Sequence, residues 1–248
     1  MSISETQIVR SRQLAGQTVL VIGGSAGIGL ETARLARELG ADVILTARNE
    51  ERLRSVGDEL GARVSAFDAT DSQRLGRFFE ELPSPIDHVL LTGPGPYYAS
   101  LAEFDFDKAA ADVGVHLFLP LRVAREAVGK VRAGGTLLFM GGTGGRRTAP
   151  GFALISALTA AGPAMTRSLA VEIAPIRVNL IAAGFVDTPL SAALLGDQLD
   201  ARREQLRTTL PIRRVVGPAD IAALAVHLMV NTAITGATLD IDGGQQLV

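Results

Sequence analysis

The chain has 248 residues, 47% of them apolar, and a formal charge of −2. Such a length predicts a single α/β domain over residues 1–248 with a large buried core. The low net charge and the absence of a basic run argue against nucleic acid or a membrane surface as partner. The absence of cysteine excludes disulfides and thiolate metal sites, and together with a start that lacks a basic and then apolar leader it predicts a cytoplasmic protein.

The three histidines, His88, His116 and His227, are scattered along the chain. None of them has the spacing of a metal ligand pair, and structural roles are the more common use of isolated histidines. We therefore predict no metal site.

Short β-rich runs alternate with segments of helical periodicity. This alternation predicts a Rossmann-type, doubly wound α/β fold, with a seven-stranded parallel sheet and helices on both faces. The predicted strands are Thr18–Ile22, Asp42–Ala47, Arg63–Phe67, His88–Thr92, Gly135–Met140, Arg177–Ile181 and Thr238–Ile241. The first predicted helix ends at Gly40 and the second, Glu50–Leu60, ends at Gly61, because glycine suits the left-handed position after a helix.

A later predicted helix, from Phe152 to Ile173, has two unusual features. Pro163 within it cannot donate to the carbonyl of Thr159, which predicts a kink or local break. Its small and apolar residues occupy more than one face, so we expect it to pack against a second subunit as well as the sheet. Beyond it, Ser191–Leu210 is a candidate amphipathic lid, but it does not identify the substrate.

The most informative motif follows the first strand, where Val19–Gly29 reads Val-Leu-Val-Ile-Gly-Gly-Ser-Ala-Gly-Ile-Gly. Glycine in such a turn lets the backbone approach a pyrophosphate, and the N–H groups at the helix start attract its charge. Glycine in a strand-to-helix turn also serves conformation alone. The predicted cofactor contacts in this turn are Gly23, Ser25, Ala26, Gly27, Ile28 and Gly29.

Further segments extend the pattern: Phe67-Asp68-Ala69-Thr70, Arg177-Val178-Asn179, the run from Ala183 to Pro189, and the run from Gly236 to Gly244. With the glycine turn, they make the chain resemble the short-chain dehydrogenase/reductase family over essentially its whole length. The resemblance implies a nicotinamide cofactor, and in the family the Phe152–Ile173 helix builds dimers that pair into tetramers, so a homodimer or homotetramer is expected. It also implies cofactor contacts from Asp68, Ala69, Gly93, Gly184, Val186 and Thr188.

The residues after the second strand bear on the choice of nicotinamide cofactor. An acidic residue there would hold a ribose 2′-hydroxyl, whereas an arginine would pair with a 2′-phosphate. The chain has Ala47 followed by Arg48, which favours NADP(H) over NAD(H), with Ser25 as a second phosphate donor. The alternative is that Arg48 is only a solvated surface residue.

The catalytic positions of the family are where the chain departs from it. Aligned on the family pattern, the tyrosine position is Ile155, the lysine position Thr159 and the serine position Gly142, and the asparagine falls near Gly114. Isoleucine has no titratable atom, so we assign no catalytic residue and expect ordinary carbonyl reduction to be severely impaired.

Substitutes for the lost groups are few. Tyr97 or Tyr98, in the loop that the resemblance places beside the nicotinamide, is a hypothetical proton donor, and packing is the alternative role for both rings. Arg146 and Arg147 are candidates for binding an anionic substrate or for a solvated pair.

Three functions are compatible with this sequence. The first is an NADP(H)-dependent oxidoreductase that acts on an unknown small carbonyl or alcohol with a nonstandard or water-borne proton donor. The second is a catalytically inactive nucleotide-binding protein that senses the cofactor or supports a partner. The third is a scaffold without cofactor, which the glycine turn, Asp68, Arg48 and Thr188 disfavour, because these features have little use in an empty fold.

Overall fold

The computed structural model describes residues 13–146 and 149–248. The predicted leaderless start and Arg147 lie outside the described residues. Within them, none of the helices is long and apolar enough to cross a membrane.

The architecture is a seven-stranded sheet in the order β3-β2-β1-β4-β5-β6-β7, and every neighbouring pair of strands is parallel. The predicted doubly wound fold is confirmed. Its strands are β1 Thr18–Ile22, β2 Asp42–Ala47, β3 Arg63–Ala66, β4 Ile86–Leu91, β5 Val131–Gly142, β6 Arg177–Ala183 and β7 Thr238–Ile241.

Helices connect the strands. They are α1 Gly27–Glu38, α2 Glu50–Leu60, α3 Ser72–Glu81, α4 Phe106–Val113, α5 Leu119–Ala127, α6 Ala153–Glu172, α7 Pro189–Leu195, α8 Leu199–Thr209 and α9 Pro218–Val230. A π-helical turn, Gly114–Phe118, joins α4 to α5. The predicted glycine at the end of α2 is confirmed, since Gly61 adopts a left-handed conformation with φ +58°.

The sheet separates two apolar cores. One face packs against α3, α5 and α6 through residues such as Phe79, Val123 and Leu169. The other face packs against α1 and α9 through residues such as Ala36 and Ile221. Because both faces are covered, the carboxyl edge of the sheet is the open edge at which loops can build a site.

Four strands differ from their predicted bounds. The strands β3 and β6 differ only at their last residues, which are Ala66 rather than Phe67 and Ala183 rather than Ile181, whereas β4 and β5 also begin earlier than predicted. The strand β5 begins at Val131 rather than Gly135 because Val131 pairs with Ile86. The register between β4 and β5 then shifts, so that the next pair is His88 with Thr136. The strand β4 begins at Ile86 and so includes Asp87. The Asp87 carboxylate accepts a hydrogen bond from the backbone N–H of Thr18 at 2.7 Å and forms an ion pair with Arg132 at 2.5 Å. In both strands, contacts with distant segments extend the strand beyond its predicted start.

The predicted break at Pro163 is wrong. The helix α6 runs from Ala153 to Glu172 with Pro163 inside it. Only one helical hydrogen bond is lost to the proline ring nitrogen, and buried residues on both sides of it, Leu158 and Thr166 among them, anchor the helix to the sheet. The predicted bend at this position stays a prediction.

A buried histidine lies near the opposite, amino-terminal edge of the sheet. His88 on β4 is 2% exposed, and its Nε2 lies 2.7 Å from Oε1 of Gln17. Burial, followed by the charges of Arg177 and Arg132, lowers the pKa of His88 from 6.5 to about 3. The ring is therefore neutral in the folded protein at ordinary pH.

Candidate functional site

The glycine turn after β1 leaves no room for side chains. A Cβ on Gly29 would lie 2.3 Å from the carbonyl oxygen of Gly23, and a Cβ on Gly23 would lie 2.2 Å from Oγ1 of Thr92. The Thr92 hydroxyl lies 3.1 Å from the carbonyl oxygens of both Ile22 and Gly23, to either of which it can donate. The turn is thus held closed between β1, β4 and the first turn of α1.

The start of α1 presents backbone donors without competition from side chains. Ala26 occupies the N-cap with no side-chain hydrogen bond, and the first turn of the helix contains no acidic residue. The first N–H groups of a helix have no partner inside it, and they favour a phosphate group. We call the turn from Gly23 to Gly29 the glycine cradle. The glycine cradle and the start of α1 fit the pyrophosphate of a dinucleotide, and Ser25, Gly27 and Ile28 lie within this cradle.

Two oppositely charged residues follow β2 and β3. Arg48 and Asp68 are exposed, and Oδ1 of Asp68 accepts hydrogen bonds from the Thr70 N–H at 2.9 Å and hydroxyl at 2.8 Å. Partial burial raises the pKa of Asp68, but the hydrogen bonds from Thr70 and the Arg48 charge outweigh it, so this pKa is lowered. The neighbouring Ala69 packs against the core below them. The charge of Arg48 therefore acts on Asp68, and both residues follow strands at the same edge of the sheet as the glycine turn.

The loops after β4 and β6 complete this edge of the sheet. Gly93 adjoins the π-helical turn, since a Cβ there would lie 3.8 Å from Val115. Gly184 is crowded by Asp242, whose Cβ would lie 2.6 Å from an added Cβ. The predicted contacts therefore share one end of the sheet.

Thr188 has a structural task in the β6 loop. Its hydroxyl caps α7 by accepting the Ser191 N–H at 3.2 Å, and the carbonyl of Val186 accepts the Ser191 hydroxyl at 2.5 Å. A Cβ on Gly27 would lie 3.5 Å from Thr188, so this loop meets the glycine turn. The predicted cofactor contacts of Val186 and Thr188 stay predictions.

Three of the four positions that lack the family's catalytic groups lie close together: Gly142, Ile155 and Thr159. A Cβ on Gly142 would lie 3.5 Å from Cγ2 of Thr159, and one on Gly144 would lie 3.9 Å from Cγ1 of Ile155. The Thr159 hydroxyl lies 2.7 Å from the carbonyl oxygen of Ile155 and can donate to it within α6. These three positions carry no free acid or base. Glycine and isoleucine have no polar side-chain atom, and the Thr159 hydroxyl can hydrogen-bond to a backbone carbonyl of its own helix.

The match to a known family decides the class of protein. A family model described as enoyl-(acyl carrier protein) reductase matches residues 23–246. The short-chain dehydrogenase/reductase ATR9 of Stachybotrys chlorohalonatus is 29% identical over 93% of this chain and 97% of that protein. The chain belongs to the short-chain dehydrogenase/reductase family. The resemblance predicted from the sequence is confirmed.

Other members of the short-chain dehydrogenase/reductase family cover the chain almost completely. The 3-oxoacyl-[acyl-carrier-protein] reductase FabG of Rickettsia prowazekii is 31% identical over 95% of this chain and 99% of that protein. The structure of BdcA in complex with NADPH has a TM-score of 0.84 and 26% identity, covering 94% of this chain and 95% of that one. The short-chain dehydrogenase/reductase family comprises oxidoreductases that bind a nicotinamide cofactor.

The two tyrosines of this short-chain dehydrogenase/reductase differ in their surroundings. The Tyr97 hydroxyl accepts the N–H of Asp105 at 2.9 Å, and its ring packs against Phe104 with centroids 5.7 Å apart. Tyr98 is 48% exposed, and its ring centroid lies 5.2 Å from that of Phe152, just before α6. Tyr97 thus stabilises its own loop, whereas Tyr98 contacts the residue just before α6, the helix that carries Ile155 and Thr159.

Arg146 is already engaged by the carboxyl-terminal segment. It pairs with Asp240 and donates to Oε1 of Gln246 at 2.8 Å. The side-chain hydrogen bond to Asp240 raises the pKa of Arg146. An anionic substrate would have to displace these partners.

The segment predicted as a lid, Ser191–Leu210, contains most of α7 and all of α8, and its covering of a substrate stays a prediction. A Cβ on Gly95, in the β4 loop, would lie 3.0 Å from Leu194 and 3.2 Å from Leu190. Arg203 on α8 donates two hydrogen bonds to the Asp187 carboxylate, at 2.8 and 2.9 Å. Among residues 13–146 and 149–248, no three or more His, Asp or Glu side chains come together as a metal site.

Proposed function

We propose that this chain is a cytoplasmic, NADP(H)-dependent oxidoreductase that transfers hydride to or from a small carbonyl or alcohol. Its proton comes from a donor other than the family's tyrosine. The bound cofactor would supply the hydride, and the chain's own residues would hold the dinucleotide along the carboxyl edge of the sheet. Membership of an oxidoreductase family and the intact glycine cradle support this function.

The observation that carries the choice of cofactor is the position of Arg48. It follows β2 directly after Ala47, so no carboxylate occupies the position that would hold a ribose 2′-hydroxyl. A guanidinium forms charge-assisted hydrogen bonds to a phosphate. The NADPH complex of the similar structure BdcA supports the same choice.

Substitution of Arg48 tests the cofactor assignment. We expect wild-type protein to bind NADPH more tightly than NADH in isothermal titration. Arg48→Ala is expected to weaken NADPH binding roughly tenfold, because a charged hydrogen bond contributes about 1.5–3 kcal/mol. NADH binding should change little, since it has no 2′-phosphate.

The matched control is Arg52→Ala. Arg52 lies four residues after Arg48, on the exposed surface of α2, and its substitution should leave the affinities for NADPH and for NADH unchanged. Equal affinity of the wild type for NADPH and NADH would contradict the role of Arg48. Failure to bind either cofactor would remove the basis of the proposed function.

A second candidate function is a catalytically inactive cofactor-binding protein. The residues at the family's serine, tyrosine and lysine positions, Gly142, Ile155 and Thr159, favour this function because none of them is a titratable acid or base. Loss of a positioned acid or base lowers the reaction rate by a factor of about 10²–10⁴. Steady consumption of NADPH by the isolated chain with any carbonyl acceptor would exclude it. Binding of NADPH with copurification of another protein would support it.

We also propose a homodimer or homotetramer assembled through α6. Val171 on this helix is 80% exposed and Phe118, in the adjoining π-helical turn, is 49% exposed. Large exposed apolar side chains on neighbouring elements favour burial against a second copy. Sedimentation velocity measures the state directly, and a monomer at micromolar concentration would contradict this part of the proposal.

A further inference from the structure

The side chains at the family's tyrosine and lysine positions offer no proton to a hydride acceptor. Ile155 is 6% exposed and has no titratable atom, and a Cβ on Gly144 would lie 3.9 Å from it. The Thr159 hydroxyl lies 2.7 Å from the carbonyl oxygen of Ile155 and 3.2 Å from that of Ser156, so it is held within α6. These side chains can neither protonate an acceptor nor stabilise a developing oxyanion.

This lack of an acid restricts the acceptors by their charge. Addition of hydride to a neutral carbonyl group leaves an alkoxide, which a proton must neutralise, and loss of a positioned acid lowers that rate by a factor of about 10²–10⁴. Addition of hydride to a cationic C=N⁺ group leaves a neutral amine, so the step needs no acid. The neighbouring residues fit an acceptor of the second kind.

An aromatic face lies at the start of α6. The ring of Tyr98 is 48% exposed, and its centroid lies 5.2 Å from that of Phe152. A Cβ on Gly151 would lie 3.4 Å from the backbone of Ala99, so the β4 loop packs directly on the start of this helix. Phe152 precedes Ile155 by three residues, the spacing of neighbours on one side of a helix. Aromatic faces attract cations.

A buried carboxylate gives this aromatic face a negative potential. Asp112 is 7% exposed, and its Oδ1 lies 3.0 Å from Nδ1 of His116. Its Oδ2 has no hydrogen-bond partner among residues 13–146 and 149–248. Burial, followed by the charge of Asp112, raises the pKa of Tyr98. The phenol of Tyr98 therefore stays neutral, and a cation beside it would be attracted by the same carboxylate.

Positive side chains on the two adjoining segments are paired with carboxylates. Arg146, in the short turn before α6, pairs with Asp240, and Lys108 on α4 lies 3.4 Å from Asp105. Asp112 is thus the charge that acts on Tyr98. This arrangement favours a cationic ligand over an anionic one.

We propose that this chain reduces cationic iminium compounds that carry an apolar or aromatic ring, and that Tyr98 and Phe152 form the face against which the cation lies. The inference rests on the cofactor of the proposed function and extends the acceptors to a class that needs no proton donor. Hydride from NADPH forms the new C–H bond at the iminium carbon, and NADP⁺ is left. The π pair of the C=N⁺ bond becomes the lone pair of a neutral amine, and no proton enters the step.

The kinetic test compares a cation with a neutral ketone of similar size. The probes are N-methyl-3,4-dihydroisoquinolinium and 1-tetralone, and each rate of NADPH oxidation is divided by the rate of the same mixture without protein. We expect the protein to accelerate reduction of the cation roughly 100-fold or more and reduction of the ketone negligibly. The rate with the cation should be equal in H₂O and D₂O, whereas deuterium at C4 of NADPH should lower it.

The outcomes separate this inference from the proposed function. Bound NADPH without acceleration of the cation would overturn the inference and leave the proposed function intact. Equal acceleration of the cation and the ketone, with a lower rate in D₂O, would also overturn it, because a proton donor would then act at the site. Absence of NADPH binding in calorimetry would defeat the proposed function, and this inference with it.

The aromatic face has a separate readout in the binding of a cation that cannot accept hydride. Calorimetry of the NADPH-loaded protein with N,N-dimethyl-1,2,3,4-tetrahydroisoquinolinium should show binding that Tyr98→Leu weakens about two- to fivefold. The matched control is Phe106→Leu, because Phe106 is 77% exposed and stacks on Phe104 instead. This control should bind the cation as the wild type does, and all three proteins should bind NADPH equally.

Two results of this calorimetry would contradict the proposal. Equal affinity of Tyr98→Leu and the wild type for the cation would overturn the assignment of the aromatic face. Equally tight binding of isochroman, a neutral cyclic ether of similar shape, would overturn the preference for a cation.

Discussion

Gly29→Ala is expected to weaken NADPH binding roughly 100-fold, about 2.7 kcal/mol. The added methyl group would lie 2.3 Å from the carbonyl oxygen of Gly23, so the turn must open. Forcing a methyl group into a packed region costs about 1–3 kcal/mol, and opening the turn also moves the N–H groups at the start of α1 away from the pyrophosphate. Isothermal titration with NADPH measures the loss.

The matched control is Gly76→Ala in the middle of α3. The nearest atom to a Cβ there is Oε2 of Glu126 at 4.0 Å, so the methyl group fits, and alanine is the better helix former. This variant should bind NADPH as the wild type does and should unfold at the same or a slightly higher temperature. Wild-type affinity in Gly29→Ala would mean that the turn does not hold a pyrophosphate.

Lowering the pH from 7 to 4.5 is expected to remove about 3 kcal/mol of folding free energy through His88 alone. The pKa of His88 is about 3 in the folded protein, against an ordinary value of 6.5. Below pH 6.5, His88 is therefore protonated in the unfolded chain but stays neutral in the folded chain. This difference lowers the free energy of unfolding progressively as the pH falls from 6.5 towards 3, and it has no effect well above pH 6.5.

His88→Leu should lessen this loss, because no imidazole remains to be protonated on unfolding. The measurement is the free energy of unfolding in urea at pH 7 and at pH 4.5, with His227→Gln, on an exposed surface, as control. The difference between the two pH values should shrink by about 3 kcal/mol in His88→Leu and stay unchanged in the control. Equal losses in all three proteins would contradict neutral burial of His88.

Much of the fold is predictable because its strands are buried on both faces and read as apolar runs. The strands β1, β2 and β7 lie at their predicted bounds. Errors arise where local signals are overridden at a distance. The strand β4 extends back to Ile86, where Thr18 and Arg132 satisfy the buried carboxylate of Asp87. Pro163 predicts a break, but the helical turns around it pack on the sheet and α6 continues through it.

The site is predictable to the extent that it is made of backbone. Glycine spacing indicates the cradle because the need for glycine is steric and local, as Gly23 and Gly29 illustrate. The position of Tyr98 against Phe152 and the pairing of Arg146 with Asp240 and Gln246 could not be predicted in this way, because these contacts join segments that are far apart in the chain.

The contacts of Arg146 link two distant parts of the chain. Its side chain pairs with Asp240 and donates a hydrogen bond to Gln246, and both partners lie in or just after β7. The short turn Gly144–Arg146, which precedes α6, is therefore held in place by the segment around β7. A substitution in that segment should alter the α6 side of the site without changing any residue of the site itself.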